Sequence, residues 1–306
     1  MPRFSIILPC YQAEATIAQT LASLQAQKFS DWEALCVDDG SRDATRDLLR
    51  YAAAGDRRIR VLRNPGKGPS DARNHGAAEA VGEVLAFCDA DDLWTPDKLT
   101  ILDRAFAAPD CDGAFGRIAF FEHRPEDSMT LSSVPQCALT IPMLLGENPV
   151  CTMSNIALRR EVFARSGGLR RDMIHNEDLD WLIRLVGQGA RLQPIDRVLV
   201  HYRVSPSGLS ADLDAMRAGR AVALESAARF GFAPQPGDEA VHLRYLARRA
   251  LRVGMGGTAA LGLALHGLRL APRRFLTPLH RGGGTLAGAV LAPLLPAPLR
   301  RTLFSR

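Results

Sequence analysis

Apolar residues follow two alternating patterns along the first hundred residues of the chain. Short, nearly unbroken apolar runs are typical of buried strands, and they predict strands over 4–8, 32–37, 59–62 and 84–88. Between these runs, apolar positions such as Ile17, Leu21 and Leu24 recur three or four residues apart, which is the spacing of one helix face. Helices are therefore predicted over 13–27, 41–53, 70–81 and 95–106. Strands alternating with helices predict an α/β fold with a doubly wound, mainly parallel sheet flanked by helices.

Several predicted helices are preceded by residues that are favoured at the N-cap position. These residues are Ser41, Thr95 and Asn176. A helix is also predicted to follow Asn176, because Leu182 and Leu185 continue an apolar face. Each of the three residues is therefore expected at the N-cap of its helix.

Polar residues cluster where three of the predicted strands end. The clusters are 9–11 (Pro-Cys-Tyr), 38–39 (Asp-Asp) and 89–92, which holds Asp89, Asp91 and Asp92. In a parallel sheet, ligands bind in the crevice at the carboxyl ends of the strands. The three clusters are therefore expected to converge on one ligand site.

Both common phosphate-binding loops are missing from the sequence. No G-x-G-x-x-G follows the first strand, and no G-x-x-x-x-G-K-[ST] occurs. If a nucleotide binds here, a divalent cation held by Asp89 and Asp91 could neutralise its phosphates, because carboxylate oxygens suit Mg²⁺ or Mn²⁺. The alternative is that these acids form an ordinary polar turn after a strand.

Four segments resemble glycosyltransferase family 2, whose members have the GT-A fold. FSIILPCYQAEATIAQTLASLQAQKFSDWEALCVDDGSRDAT and NPGKGPSDARNHGAAEAVGEVLAFCDADDLWTPDKL resemble the donor-binding half of that family. CTMSNIALRREVFARSGGL and IHNEDLDWLIRL resemble the acceptor half. The resemblance covers residues 3–205 and does not extend over residues 215–306. It implies an inverting transferase that uses a nucleotide-diphospho-sugar, with a UDP-sugar as first choice, and Mn²⁺ or Mg²⁺.

The resemblance also implies roles for the donor-side residues. Pro9 and Tyr11 match the segment that frames the nucleotide base. Asp39 matches the residue that reads the edge of the base, and Asp38 is its neighbour in the pocket. Arg73 matches an arginine that lines the nucleotide site.

The metal and acceptor residues are carried over in the same way. Asp89 matches the acid near the ribose and the metal, and Asp91 matches the metal ligand. Asp178 matches the general base, with Glu177 beside it on the acceptor side. Further acceptor-side candidates are Trp181 and His201, and the alternative for each is that it only packs against its neighbours. The implied acceptor is a hydroxyl of a glycan or of a lipid-linked molecule in bacterial cell-surface polysaccharide synthesis.

Charge divides the chain into two parts. Residues 1–214 carry 24 Lys and Arg against 30 Asp and Glu, a net charge of −6, whereas residues 215–306 carry 14 Arg against 3 acids, a net charge of +11. We expect a catalytic domain over 1–212, with a nucleotide-sugar half over 1–110 and an acceptor half over 111–212. A basic helical tail is expected over 213–306, with a linker at 231–237.

The tail allows two interpretations. Its short apolar stretches, 255–265 and 286–299, are interrupted by glycines and prolines and are too short to span a bilayer. Arginines among such stretches favour contact with an anionic membrane surface. The alternative is a helical appendage that packs on protein. Nucleic acid is not expected as a partner, because no known binding fold accompanies the charge.

The six cysteines form no C-x-x-C pair and no zinc-like spacing. We expect all six to be reduced and buried. The N-terminal residues do not resemble a secretory signal. The expected location is therefore the cytoplasm, with a peripheral position on the inner face of the plasma membrane.

Two rival functions remain open at this point. A nucleotidyltransferase on a similar sheet would need a basic, Gly-rich loop after the first strand, where this chain has Pro9 and Tyr11. A non-catalytic protein that binds sugar nucleotides would be expected to have lost at least one of Asp39, Asp89, Asp91 and Asp178.

Overall fold

The computed structural model describes residues 1–128, 130–204, 212–253 and 257–295. These residues form two compact units. The first unit comprises Met1–Leu139 and Pro149–Val204. The second unit comprises Thr140–Asn148 and the described residues from 212 onward.

Strands and helices alternate through the first half of the chain, as the apolar pattern predicts. The strands are β1 (Phe4–Cys10), β2 (Trp32–Asp38), β3 (Ile59–Arg63), β4 (Val84–Phe87), β5 (Leu93–Trp94), β6 (Gly113–Phe121), β7 (Thr130–Leu131), β8 (Ile156–Arg159) and β9 (Leu192–Arg203). The helices of the first unit are α1 (Ile17–Gln25), α2 (Thr45–Gly55), α3 (Pro69–Glu79), α4 (Lys98–Phe106), α6 (Arg160–Arg165) and α7 (Glu177–Gly187). Short 3-10 turns lie at Pro125–Asp127 and Met153–Asn155.

Within the described residues the nine strands form one mixed sheet. Its order is β3-β2-β1-β4-β8-β6-β9-β5, with β7 beside β6. The first four strands in this order run parallel. Strand β8 is antiparallel to both β4 and β6, whereas β6 and β9 run parallel. The α/β fold class is confirmed, and the parallel strands bring the carboxyl ends of β1, β2 and β4 to one edge.

The central strands are apolar because helices cover both faces of the sheet. Most residues of β1 and all residues of β2 and β4 are buried. Helix α3 approaches the sheet closely at Gly76, where a Cβ would lie 2.7 Å from Cγ2 of Ile7 and 3.1 Å from Cγ2 of Val37. This contact fixes the helix that carries Arg73.

Two of the predicted helix caps are wrong. Helix α2 begins at Thr45 and not near Ser41, whose backbone N–H instead donates to the Asp38 carboxylate at 3.1 Å. Helix α4 begins at Lys98 and not directly after Thr95. In both places a turn precedes the helix. The Asp38 carboxylate closes the first turn through Ser41, and the Lys98 N–H closes the second by donating to the Thr95 carbonyl at 3.0 Å.

The second unit is helical. Its helices are α5 (Ile141–Gly146), α8 (Leu213–Arg229), α9 (Pro236–Val253), α10 (Gly257–Leu270), α11 (Pro272–Leu276) and α12 (Leu279–Leu291), followed by a 3-10 turn at Ala292–Leu294. The predicted linker at 231–237 is shorter than expected, because α9 begins at Pro236. Residues 255–256 and 296–299 of the two predicted apolar stretches lie outside the described residues.

Some of the arginines of the second unit are buried structural residues. Arg220 donates to the backbone oxygen of Leu145 and to Glu239, both at 2.8 Å. Arg244 donates to the carbonyls of Phe275 and Thr277 and pairs with Glu147 at 3.4 Å. These arginines hold α5 and α11 against α8 and α9, so part of the basic charge serves packing.

In the part of the chain that the structure describes, no helix has both the length and the apolar character needed to cross a bilayer.

All six cysteines are free thiols. Cys10, Cys36, Cys88 and Cys111 are buried, as expected, but Cys137 and Cys151 are exposed. The expectation of buried thiols is therefore wrong for Cys137 and Cys151, because both lie in loops and not in strands.

Candidate active site

The first part of the site forms where β2 ends. The Asp39 carboxylate accepts a hydrogen bond from Asn64 Nδ2 at 2.6 Å and from the Gly68 backbone N–H at 2.8 Å. Gly68 has φ +91, a conformation that favours glycine. Asp39 thus holds the loop after β3. Sequence reasoning missed Asn64, although the loop signal NPGKG surrounds it.

The end of β1 is tied to the same region. Gln12, at φ 49, accepts a hydrogen bond from the Arg42 N–H at 2.8 Å, and its own N–H donates to Ser41 Oγ at 3.2 Å. Pro9 lies opposite Val37 in the parallel pairing. Tyr11, at the tip of this loop, is 57% exposed, so its ring is available to a ligand. Asp38 is buried and its carboxylate closes the turn through Ser41.

The acidic loop after β4 places three carboxylates in three different environments. Asp89 accepts hydrogen bonds on both oxygens, from Arg73 at 2.6 Å and from the Thr152 hydroxyl at 3.0 Å. Asp92 is fully buried and accepts from the Arg203 backbone N–H at 3.0 Å. Among the described residues, no side chain donates a hydrogen bond to Asp91. Asp91 is thus the carboxylate left for a ligand.

The charges of this loop repel one another. Burial, followed by the nearby Asp89 carboxylate, raises the pKa of Asp91 to about 6. Burial, followed by the charges of Asp91 and Asp89, raises the pKa of Asp92 well above its usual range. Ionising the whole loop without a compensating cation is therefore unfavourable.

A segment before β8 braces the acidic loop. Ser154 Oγ accepts from the Asp89 N–H at 2.8 Å, while the Thr152 hydroxyl lies between Asp89 and Asp92, 3.5 Å from the latter. The backbone oxygen of Ser154 accepts from Lys98 Nζ at 2.5 Å and from the Trp94 indole at 3.1 Å. Burial lowers the pKa of Lys98 to about 7. No pattern in the sequence indicates that this segment reaches the loop.

The end of β9 holds the loop from the other side. Arg203 Nε donates to the Asp91 carbonyl at 3.0 Å, and its guanidinium also reaches Gln19 Oε1 at 2.7 Å. Arg203 was not predicted as a site residue. The only signal was its place in the HYR triplet at the end of a strand.

Arg73 connects the acidic loop to α7. Its two terminal nitrogens contact different carboxylates, Nη2 to Asp89 at 2.6 Å and Nη1 to Glu177 at 3.1 Å. The side chain is 6% exposed. Burial alone would lower the pKa of Arg73, but the two carboxylates more than offset this effect. The resemblance predicts that Arg73 lines the nucleotide site, and the structure shows that its side chain bridges Asp89 and Glu177.

Helix α7 presents two acids in its first turn. Asn176 lies at the N-cap, as predicted, in a left-handed conformation with φ 59, although its side chain makes no capping hydrogen bond. Burial, followed by the Asp178 charge, raises the pKa of Glu177 to about 7, although Arg73 opposes this. Burial also raises the pKa of Asp178, while hydrogen bonding to the Leu179 N–H and the charge of Arg73 lower it. Asp178 is half-buried, and its raised pKa makes its carboxylate a stronger base, which suits general-base chemistry.

The remaining acceptor-side candidates have structural environments. Trp181 is fully buried, packs on Phe87 and Phe163, and donates to Ser166 Oγ at 2.9 Å. The structure therefore corrects the acceptor-side assignment of Trp181 to a packing role. His201 lies on β9 beside Phe121, and burial lowers its pKa. Its Nδ1 is buried, and no hydrogen-bond partner for this atom occurs among the described residues.

The acids of the loop fit a magnesium-type site. Within the described residues, no group of three or more His, Cys, Asp and Glu side chains could enclose a metal. A site of this type needs only one or two carboxylates, because substrate phosphate oxygens supply further ligands. Asp91 has free acceptor capacity and a raised pKa that a cation would offset. The donor set therefore fits a divalent cation that arrives with a phosphate ligand.

The order of the strands and the acidic edge of the sheet are those of the GT-A fold. The family model described as glycosyl transferase family 2 matches residues 5–167, and the chain belongs to this family. The predicted family is therefore confirmed.

Relatives and solved structures of similar sequence or fold agree with this membership. The chain is 42% identical over 96 residues to an Escherichia coli protein named UDP-Glc:alpha-D-GlcNAc-diphosphoundecaprenol beta-1,3-glucosyltransferase WfgD, a match that covers 31% of this chain and 37% of that protein. Staphylococcus aureus TarS 1–349 with UDP aligns at TM-score 0.60 and 19% identity, covering 94% of this chain and 90% of that chain. A Pyrobaculum calidifontis mannosyltransferase with GDP-Man and Mn²⁺ aligns at TM-score 0.60 and 23% identity, covering 100% and 88%. These structures confirm the predicted GT-A-type fold. The matched segments span only 37% to 52% of the first three relatives by sequence.

Proposed function

We propose that the protein is a metal-dependent inverting glycosyltransferase. In this proposal it moves a sugar from a nucleotide-diphospho-sugar to a hydroxyl group. The observation that carries the proposal is the pair of contacts made by Arg73, 2.6 Å to Asp89 and 3.1 Å to Glu177. This bridge joins a candidate donor-side acid to a candidate acceptor-side acid in one buried network, which supports a site that holds two substrates in a fixed geometry.

The donor is proposed to bind along the ends of β1, β2 and β4. Tyr11 would contact the base and Asp39 would bind its edge, through carboxylate capacity left beyond its contacts with Asn64 and Gly68. A UDP-sugar is the first candidate. It is supported by the names of the E. coli relative and of the TarS complex, whereas the Pyrobaculum calidifontis structure contains GDP-Man.

Asp91, with Asp89 beside it, is proposed to hold Mn²⁺ or Mg²⁺ together with the donor diphosphate. Such an ion, when bound, supplies charge neutralisation for the leaving diphosphate. The residues of this chain keep the ligands in place: Thr152 and Arg73 orient Asp89, and Arg203 holds the Asp91 backbone.

Asp178 is proposed as the general base. Inversion needs a carboxylate that takes the proton of the acceptor hydroxyl on the side of the sugar away from the diphosphate. Asp178 lies in the first turn of a helix that is remote in sequence from the acidic loop, and burial raises its pKa. The neighbouring Glu177 is held by Arg73 and would position this turn and not take the proton.

The acceptor is proposed to be a glycan or lipid-linked molecule of bacterial surface-polysaccharide synthesis. The name of the E. coli relative, which includes a diphosphoundecaprenol acceptor, supports this class. We also propose action at the cytoplasmic, inner face of the plasma membrane. The net charge of +11 over residues 215–306 supports contact with an anionic surface, and the free thiols suit a reducing compartment.

The proposal is tested by calorimetry of UDP binding with Mn²⁺ and with EDTA. We expect Mn²⁺ to strengthen binding at least tenfold, and Asp91→Asn to remove most of this gain, because a neutral amide is a poor ligand for the ion. Asp110→Asn, at an exposed acid that pairs with Arg191 on the surface, is the matched control. Equal affinity with and without metal in the wild-type protein would refute metal dependence. A parallel screen of nucleotide-sugars for hydrolysis would identify the donor.

A further inference from the structure

Helix α12 and the 3-10 turn after it have an apolar surface where a surface helix normally has polar residues. Leu279 is 73% exposed, Val290 48%, Leu291 51% and Leu294 78%. With a helical period of 3.6 residues, these side chains fall on one side of the helix. We call this side the docking face; its members are Leu279, Gly283, Ala287, Val290, Leu291 and Leu294.

The opposite side of α12 already has its partners. Gly282, Thr285, Ala289 and Ala292 are buried, and a Cβ at Gly282 would lie 2.4 Å from the Leu276 Cα. Arg281 is directed toward Glu147, at 3.8 Å. The six members of the docking face carry no charge, and the exposed His280, next to Leu279, is the polar side chain that lies on the same side of α12. Since the inner side is packed, the apolar outer side serves no internal core in the described unit.

Exposed arginines accompany this apolar surface in the same unit. Arg269 lies on α10, which also exposes Leu265 and Leu270, each 40% accessible. Arg273 lies on α11, directly before α12. No carboxylate among the described residues pairs with Arg269 or Arg273. The acids Glu147, Asp238 and Glu239 are already engaged by other arginines of the unit.

We propose that the docking face lies flat on an anionic lipid bilayer, with Arg269 and Arg273 contacting lipid phosphates. This inference deepens the proposed function and rests on its membrane-bound acceptor. The 16 residues of 279–294 would extend roughly 24 Å, which suits a helix in the interface better than one across the bilayer.

A second copy of this chain fits the face less well. A footprint about 24 Å by 10 Å is roughly 240 Å², whereas a stable protein interface buries about 800 Å² on each partner. Residues 215–306 carry a net charge of +11 in each copy, so two copies of this part of the chain also repel one another. Lipid phosphates instead complement these charges.

The test is co-sedimentation of the full chain with vesicles. One set contains phosphatidylglycerol and phosphatidylcholine in equal amounts, and the other contains phosphatidylcholine alone. We expect binding to the anionic vesicles at low salt. Leu291→Ser with Leu294→Ser should reduce the partition coefficient at least tenfold. Arg269→Gln with Arg273→Gln should remove most of the preference for anionic lipid.

Matched variants in the first unit control for a general change of surface. Leu131→Ser with Ile174→Ser alters side chains that are 47% and 57% exposed, and Arg104→Gln with Arg165→Gln removes two exposed arginines. Both control pairs should bind vesicles as the wild type does. All variants should retain thermal stability, since the altered residues are exposed.

Three outcomes would overturn the inference. They are wild-type protein that ignores anionic vesicles, leucine variants that bind as the wild type does, and a leucine pair that only converts a dimer to a monomer by light scattering. The last result would assign the face to a second copy.

Mn²⁺-dependent UDP binding, measured on the same variants, separates this inference from the proposed function. Loss of vesicle binding with UDP binding intact supports the docking face, and failure of UDP binding in the wild type refutes only the metal-dependent donor site.

Discussion

At the scale of single residues, the candidate site is organised around a buried arginine. Arg73 has only 6% of its surface exposed, yet it pairs with two carboxylates whose positions in the sequence are 16 and 104 residues away. Removing one partner of such a buried network leaves a charge uncompensated and is costly. The arginine therefore makes the geometry of Asp89 depend on that of Glu177.

Asp178 is the residue whose loss should separate binding from transfer. We expect Asp178→Asn to lower the transfer rate by about 10²-fold or more, because a general base contributes about 10² to 10⁴. Its affinity for UDP with Mn²⁺ should remain close to that of the wild type. The measurements are initial rates of transfer and calorimetry. Asp172→Asn, at an exposed acid of the preceding loop, is the control. A near-normal rate for Asp178→Asn would transfer the role of base to Glu177.

Glu177 should make stability depend on pH with a defined sign. Its pKa is raised from 4.5 to about 7 in the folded protein, so the folded state holds a proton that the unfolded state releases between these values. The favourable contribution of this protonated carboxyl is present below pH about 4.5 and is lost as the pH rises through about 7. Glu177→Gln removes the titration.

The free energy of unfolding, from urea titrations of both proteins at several pH values, tests this sign. The variant should gain stability relative to the wild type as the pH rises from about 5 to about 8. A constant difference across that range would contradict the raised pKa.

At the scale of secondary structure elements, α3 is placed by close packing and not by a strong apolar stripe. Gly76 allows the helix to approach β1 and β2, and the same helix carries Arg73 into the network. Helix propensity alone would favour alanine over glycine by about 0.8–1 kcal/mol. Packing predicts the opposite sign at this position.

Gly76→Ala should therefore destabilise the protein. The new Cβ would meet Ile7 and Val37, and overpacking of a core costs about 1–3 kcal/mol. Gly55→Ala, at the last residue of α2, has open space around the new atom and should be neutral or slightly stabilising. Thermal and urea unfolding of both variants give the comparison. Equal stability of the two variants would mean that α3 can move away from the sheet without cost.

At the scale of the whole molecule, the two units are interleaved in sequence. Residues 140–148, which contain helix α5, belong to the second unit. In the sequence they lie between the two segments of the first unit. Ile141, Leu144 and Leu145 are buried there, and Gly146 lies close to Val241 of α9. A chain cut after the first unit would keep α5 and lose its partners.

A protein ending at residue 204 should consequently aggregate or bind a hydrophobic dye more strongly than the full chain. In the shortened protein the apolar side chains of α5 would be exposed to water. Each Å² of apolar surface that is no longer buried costs about 25 cal/mol of stabilisation. Replacing Leu144 and Leu145 by Ser in the shortened protein should restore solubility, as light scattering would measure. If the unmodified shortened protein stays monomeric and binds no dye, α5 does not need the helices of the second unit.

The sequence alone determined the parallel half of the sheet and the location of the acids. Apolar runs and helical spacings are local patterns, and a chain that leaves a buried strand must place its polar residues at the strand end. This is why the strand pattern was sufficient to predict that Asp39, Asp89 and Asp91 lie at one edge of the sheet.

The tertiary structure decided which acid is available to a ligand and which acids are already hydrogen-bonded within the protein. Thr152 reaches Asp89 across 63 residues, and the Arg203 N–H reaches Asp92 across 111. It also decided that Trp181 packs in the core and that α5 joins the distant helices. Such pairings depend on how elements pack against one another, and hydrophobic periodicity within one element contains no information about them.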